Sequence, residues 1–229
     1  MRVLVERGIR PPEQALAMEE AILSEVARGD APATLRLWRN GRCVVIGRSQ
    51  DPEAEADVAT CRSLGIPVLQ RCSGGGTVYH HPGNLNFSLF LPLQRKWMAV
   101  RETQALFCGL LTEVLRTRWS LRASQRDGGV FVDGRKVSGS AQLRRRAFLH
   151  HGTLLLWEDE LDMRRFLWAM SPGYRPSAVP SRPAPVADLS TLVGLPVGLE
   201  EGIRILLLAY RKLDVPSTRA TREHGPAPH

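Results

Sequence analysis

RCSGGGTVYHHPGNLNFS, residues 71–88, sets three consecutive glycines behind a serine, then two histidines and two asparagines. IPVLQR (66–71) before it reads as a short strand, and TVYH and LNFSLFLP after it are rich in strand formers. Glycine adopts positive φ and lets backbone N–H groups approach a ligand closely. Successive N–H groups can form an anion-binding concavity. No GK[ST] follows, which excludes a P-loop. Consecutive glycines followed by a strand also fit a dinucleotide fingerprint poorly. A tight structural turn and a ligand loop both remain open at this point. His80 and His81 are adjacent on a strand and point to opposite faces, so one packed and one solvated ring are expected.

Outward from this stretch, RVLVE (2–6) reads as a strand and residues 13–28 as a helix with Leu16, Ile22, Leu23 and Val26 on one side, ended by Gly29. TLRLWR (34–39) and CVVIG (43–47) flank Asn40-Gly41, a strong hairpin signal, and Asp133-Gly134 is a second one. Residues 53–64, 99–116, 158–170 and 199–212 read as helices, and FLHHGTLLLW (148–157) suggests a strand. Residues 171–185 read as a Pro- and Ser-rich loop. Hairpins with helices inserted at intervals predict an α+β fold, a mixed or antiparallel sheet packed with helices. One domain over 1–215 is expected, with a disordered tail over 216–229.

The 229 residues carry a net charge of +8, which fits an acidic partner or an ordinary basic surface. Aromatic content is only 6% and no RNA-recognition motif is evident, so nucleic acid is not the expected partner. No apolar run approaches membrane-spanning length, and the N-terminus has no signal-peptide core, so a cytoplasmic location is expected. Cys43, Cys61, Cys72 and Cys108 form no CxxC pair and are read as buried free thiols.

GRKVSGSA (134–141) places one lysine on a hairpin strand beside small residues, and HHGT (150–153) is a third polar, glycine-containing break. Each has a bland reading, an exposed strand lysine or a bend. Taken in order, LWRNGRCVVIGRSQDP, RCSGGGTVYHHPGN, GRKVSGSAQ and HHGTLLL closely resemble the lipoate–protein ligase family, with ALAMEE and SRPAPVADL as further similar segments. That family shares a catalytic-domain fold with biotin–protein ligases and octanoyltransferases.

The resemblance implies that lipoate and ATP, with Mg²⁺ as phosphate counter-ion, give lipoyl-adenylate. The acyl group then passes to a lysine on the lipoyl domain of a 2-oxoacid dehydrogenase complex or on the glycine cleavage H protein. By the same resemblance Lys136 is catalytic. Arg71, Ser73, Gly74, Gly75, Gly76, His80, Asn84, Ser138, Gly139, Ser140, Ala141 and His151 line the ligand pocket, and Val78 or Trp38 its apolar slot. Three departures stand out. Gln70 replaces one of two usual arginines, His81 replaces an aspartate, and there is no room for the C-terminal accessory domain many members carry. A separate accessory polypeptide or a minimal variant is therefore expected. The alternatives are an octanoyl or lipoyl transferase of the same fold, with Cys72 as the candidate acyl carrier, and a non-catalytic binding protein.

Overall fold

The computed structural model describes residues 1–94, 99–176, 178–211 and 213; the tail expected over 216–229 lies outside the described residues. Seven strands form one sheet in the order β1 (Arg2–Arg10), β2 (Thr34–Asn40), β6 (Asn84–Pro92), β10 (Ala147–Leu155), β9 (Arg135–Arg144), β8 (Gly129–Val132) and β7 (Ala123–Arg126). Only β1 and β2 run parallel in it. A smaller sheet sets β3 (Cys43–Ile46) between β4 (Val68–Gln70) and β5 (Val78–His80). The sheets are mixed, as the α+β expectation requires.

Alternation along the central strands decides the layers. In NLNFSLF, Leu85, Phe87 and Leu89 join a buried cluster with Leu35, Leu37 and Leu154, packed against α4 (Val100–Trp119) and α6 (Leu199–Tyr210). The intervening Asn84, Asn86 and Ser88 face the other way, since strand side chains alternate. The register sets Trp38, Asn86, Thr153 and Gly139 in one row across four strands, and Arg36, Ser88, His151 and Ala141 in the next. Part of this second face is covered by α1 (Pro12–Arg28), through Ile22 and Val26 against Phe90 and Leu149.

Asn40-Gly41 makes no hairpin: β2 and β3 belong to different sheets, and neither residue has positive φ. Asn40 is instead buried, bonded to Cys43 Sγ (3.1 Å) and Asn86 Nδ2 (2.8 Å), so tertiary bonds turn the chain from one sheet to the other. Asp133-Gly134 does form the expected turn, with φ of 48° and 77°. The helix expected over 53–64 divides into α2 (Pro52–Glu55) and α3 (Val58–Ser63), where Asp57 caps Thr60 N. Residues 158–170 give only two 3-10 turns, Met163–Arg165 and Trp168–Met170. Phe166 is drawn into the small sheet's core, and its carbonyl accepts from Asp57 N at 2.9 Å.

Arg36, fully buried on β2, ties three elements together. Its Nε and Nη2 donate to Glu6 on β1 (2.6 and 3.3 Å), and Nη1 donates to Ala15 O on α1 (2.8 Å). Its Cζ lies 4.7 Å over the Trp38 ring. Removing one partner of a buried pair leaves the other charge uncompensated, at a cost of about 3–5 kcal/mol. Glu6→Ala is therefore expected to destabilise the fold by about 3 kcal/mol in urea unfolding. A loss within experimental error would remove this ion pair from the account.

Candidate active site

The polar face of the large sheet floors a cavity of about 1070 Å³, roofed by the glycine loop, the small sheet and residues 179–186. Arg71 shapes the loop from beneath. Its Nη2 donates to the carbonyls of Gly74 (2.7 Å) and Gly76 (2.8 Å), Nη1 to Val45 O (3.2 Å) and Nε to Ser73 Oγ (3.0 Å). Burial pushes this guanidinium down to about 10. Those carbonyls share peptide planes with the N–H groups of Gly75 and Thr77, and Thr77 N donates to Ser181 Oγ (2.8 Å); the N–H groups of Gly74, Gly75 and Gly76 have no protein acceptor among the described residues. Gly75 has φ of +91°, and a Cβ on Gly76 would lie 2.8 Å from Ser181 Cα, so glycine is required at both. The roof is pinned by Glu55, whose carboxylate accepts from Tyr174 Oη, Thr77 Oγ1 and Ser181 Oγ at 2.6, 3.0 and 2.6 Å.

Lys136 lies on the floor. Its backbone is stitched to residues 185–187, through Lys136 N to Pro185 O (2.7 Å) and Ala187 N to Lys136 O (3.1 Å). A Cβ on Gly139 would lie 3.0 Å from Lys136 Cε, so the bare glycine gives the side chain its path. Among the described residues the ammonium makes no hydrogen bond or ion pair, and burial holds it below the usual lysine range. Alternation divides the four small residues after it. Gly139 and Ala141 share the loop-facing side, whereas Ser138 and Ser140 turn toward α4. There Ser140 Oγ donates to Gly128 O (2.7 Å) and lies 3.6 Å from Cys108 Sγ.

His151 is reached from both sides. Its Nδ1 lies 2.9 Å from each oxygen of Glu19 on α1, and its Nε2 lies 2.6 Å from Ser73 Oγ. Glu19 also accepts from Ser88 Oγ (2.6 Å), which accepts from Trp38 Nε1 (2.9 Å). Burial would raise the Glu19 pKa, but His151, Ser88 and Arg36 together hold it below the usual value. Ser73 is fully buried and serves His151 and Arg71 rather than facing the cavity. Asn84, Val78 and Trp38 line the cavity; the Asn84 side-chain oxygen accepts from His81 N (3.0 Å).

The two histidines depart from expectation: both are buried. His80 lines the cavity beside Trp38, and His81 stacks on Tyr79 with centroids 5.6 Å apart. Gln70, in place of an arginine, is exposed and bonds to Arg48 O (3.0 Å). Cys43, Cys61 and Cys108 are buried as expected, whereas Cys72 is only half-buried. Cys72 packs against the Ile22 and Phe90 cluster, and burial pushes its thiol up to about 12. Glu19 and Glu55 were not among the sequence candidates. The available signal was a carboxylate on a buried stripe, Ala15, Glu19, Ile22 and Val26.

The family described as the lipoyl protein ligase A/B catalytic domain matches residues 11–211. The chain belongs to that family. A protein of Aeropyrum pernix bearing the name lipoate-protein ligase A is 37% identical over 158 residues, 68% of this chain and 58% of its own length. The chain spans about half the length of the curated relatives it matches. A lipoate-protein ligase A solved with ATP superposes with a TM-score of 0.74 at 26% identity, over 91% of this chain and 83% of that one. A lipoate ligase-like protein of Thermoplasma acidophilum with bound lipoic acid gives 0.73 at 26%, with the same coverage. A bipartite lipoate protein ligase from that organism, studied with its E2 lipoyl domain, shares the fold, with a TM-score of 0.71 at 23% identity over 91% of this chain and 81% of that one.

His80 and His150 are held neutral by burial, each with a pKa of about 3 against an ordinary 6.5. Between those values the unfolded chain binds protons that the folded chain refuses, so stability falls as pH drops below 6.5. The loss at pH 5 is about 2 kcal/mol per ring. Urea unfolding at pH 7.5 and pH 5, with His150→Gln as control, is expected to show this loss and its reduction in the variant. A pH-independent difference between the two proteins would contradict it.

Proposed function

We propose that this chain activates lipoate with ATP to lipoyl-adenylate and transfers the lipoyl group to a lysine of a carrier domain. One observation carries the reading. A partly buried ammonium, Lys136, and three unpartnered loop N–H groups share a cavity floored by a polar sheet face. Such donors suit a ligand with a carboxylate and a phosphate close together.

In the first step a carboxylate oxygen attacks the α-phosphorus, and pyrophosphate leaves. In the second, a carrier amine attacks the carbonyl, AMP leaves, and the amine loses its proton. Neither step needs a protein nucleophile; both need alignment and charge neutralisation. Lys136 would hold the carboxylate and then the acyl-phosphate oxygens, and the N–H groups of Gly74–Gly76 the phosphate. The row from Gly139 through Thr153 and Asn86 to Trp38 crosses three strand spacings, about 14 Å. An octanoyl-length chain can lie along it, with its head at Lys136 and its tail toward Trp38 and Val78.

Among the described residues no group of three or more His, Cys, Asp or Glu side chains could hold a metal. This donor set suits Mg²⁺ carried on ATP phosphates. The charge of +8 suits an acidic carrier, such as a lipoyl domain or an H protein, by steering encounter. A separate accessory polypeptide belongs to the same proposal, with the bipartite Thermoplasma system as a parallel. No helix among the described residues is long and apolar enough to cross a membrane. We place the reaction in the cytoplasm, where ATP and carriers meet.

A cysteine-based transferase fits less well, because Cys72 packs away from the cavity with its thiol raised. Lipoate-dependent exchange between ATP and pyrophosphate, assayed with and without a candidate accessory protein, is the test. Exchange is expected, and Lys136→Ala should lower it by at least about 100-fold with the melting temperature retained. No exchange under either condition, or an unaffected variant, would overturn the reading. An octanoyl adduct on Cys72 by intact mass would replace it with the transferase.

A further inference from the structure

The cavity wall holds a buried carboxylate, Glu19, that the proposed chemistry does not use. Glu19 is 1% exposed, lies on α1, and reaches His151 across the sheet. We infer that Glu19 is a positioning residue that selects the His151 tautomer and, through Ser73 and Arg71, aims the Gly75 N–H of the glycine loop. This inference rests on the ligase reading for its kinetic consequence but not for its geometry.

The hydrogen-bond inventory determines the direction of each link. An ionised carboxylate only accepts. His151 Nδ1, 2.9 Å from both Glu19 oxygens, must therefore carry a proton. When the ring is neutral, Nε2 is then an acceptor, and the group 2.6 Å away is Ser73 Oγ. Ser73 has one hydroxyl proton, and His151 takes it. The Ser73 oxygen is left to accept from Arg71 Nε at 3.0 Å. Gly74 O, 3.3 Å from Ser73 Oγ, then belongs to Arg71 Nη2, which is closer at 2.7 Å. With Gly74 O held by Arg71, the Gly75 N–H of the same peptide plane points the other way; Gly76 O likewise turns Thr77 N–H, which donates to Ser181 Oγ.

Removal of the Glu19 acceptor reverses this order. The ring can then protonate Nε2 instead of Nδ1 and donate to Ser73 Oγ. Ser73 must send its own proton elsewhere, and Gly74 O is within reach, in competition with Arg71. The loop loses a single preferred arrangement. A buried carboxylate that orients an imidazole and fixes its tautomer is a known way of acting through a second residue. Ser73, His151 and Glu19 also stand in the order of a nucleophile triad. Ser73 is 0% exposed and already accepts from a guanidinium, so positioning fits it better than attack.

Two readouts test the inference. Nitrogen-15 NMR of the histidine rings is expected to show the Nδ1–H tautomer of His151 in the wild type and in Glu19→Gln, which keeps an acceptor. Glu19→Ala should lose it. If that variant fails to fold, Glu19→Met fills the space without an acceptor. In pyrophosphate exchange, Glu19→Ala should lower kcat by about 10- to 100-fold with little change in KM for lipoate. Glu19→Gln should recover most of it. The Glu19→Ala and Ser73→Ala losses should also be strongly non-additive.

An Nδ1–H tautomer that survives in Glu19→Ala, additive losses, or equal effects of Ala and Gln that merely follow melting temperature would each overturn the positioning role. An acyl adduct on Ser73 by intact mass would overturn it in favour of a nucleophile. If no exchange occurs but the tautomer still switches in Glu19→Ala, the ligase reading fails and this inference stands.

Discussion

A strand with one apolar and one polar face imposes two demands at once, and β6 makes both. Leu85, Phe87 and Leu89 must be removed from water, and α4 and α6 cover them. Asn84, Asn86 and Ser88 on the other face must find hydrogen bonds, because burying an unpaired polar group is costly. Covering that face with another apolar layer would strand them. The chain leaves a cavity over part of it instead, lined with buried polar side chains, several bonded to one another, while Asn86 Oδ1 and His80 Nδ1 have no partner among the described residues. The site is thus a consequence of how the sheet solves its own packing.

The buried charges of this cavity wall are almost all matched. Arg36 meets Glu6, Glu19 is bonded to His151 and accepts from Ser88, and Arg71 is taken up by four acceptors. Glu55 accepts from three hydroxyl groups. Against this background the unmatched donors are informative. Lys136 and the loop N–H groups are of one electrical sign and lie in one cavity. Their common sign suits an anion, and their separation along the sheet floor suits an anion with an acyl tail.

Much of this was legible in the sequence where signals were local. The Asp133-Gly134 turn and the strand at β6, rich in strand formers, read correctly, because backbone sterics and strand propensity act within a few residues. Asn40-Gly41 misled because Asn40 is captured by Cys43 and Asn86 from other strands. Residues 158–170 have helical composition, yet Phe166 is worth more in the small sheet's core than in a continued helix. His80 and His81 both disappear from solvent because β5 is covered on each side, which adjacency on one strand does not reveal. Glu19 and Ser73 belong to a set whose links to Ser88 and His151 span 69 to 132 residues of sequence, and no spacing rule reports such a set.

The two substitutions that set this chain apart from its family's usual pattern carry different weight. Gln70 lies at the surface, where its amide caps Arg48 O, so the missing arginine alters the rim and leaves the buried Arg71 lattice untouched. His81 is buried within reach of Asp159, which Arg42 and Tyr79 hold at a pKa of about 2. A negative charge at 81 would lie close to that carboxylate and to the stacked Tyr79 ring. Histidine removes the repulsion and keeps a backbone-facing acceptor, Nδ1, for Gly83 N at 3.1 Å. Asp159, on the chain that follows β10, is itself taken up by Arg42 (2.7 Å) and Tyr79 Oη (2.6 Å). The loop that Arg71 organises keeps its four bonds to that guanidinium whatever stands at 70 or 81, because neither side chain takes part in them.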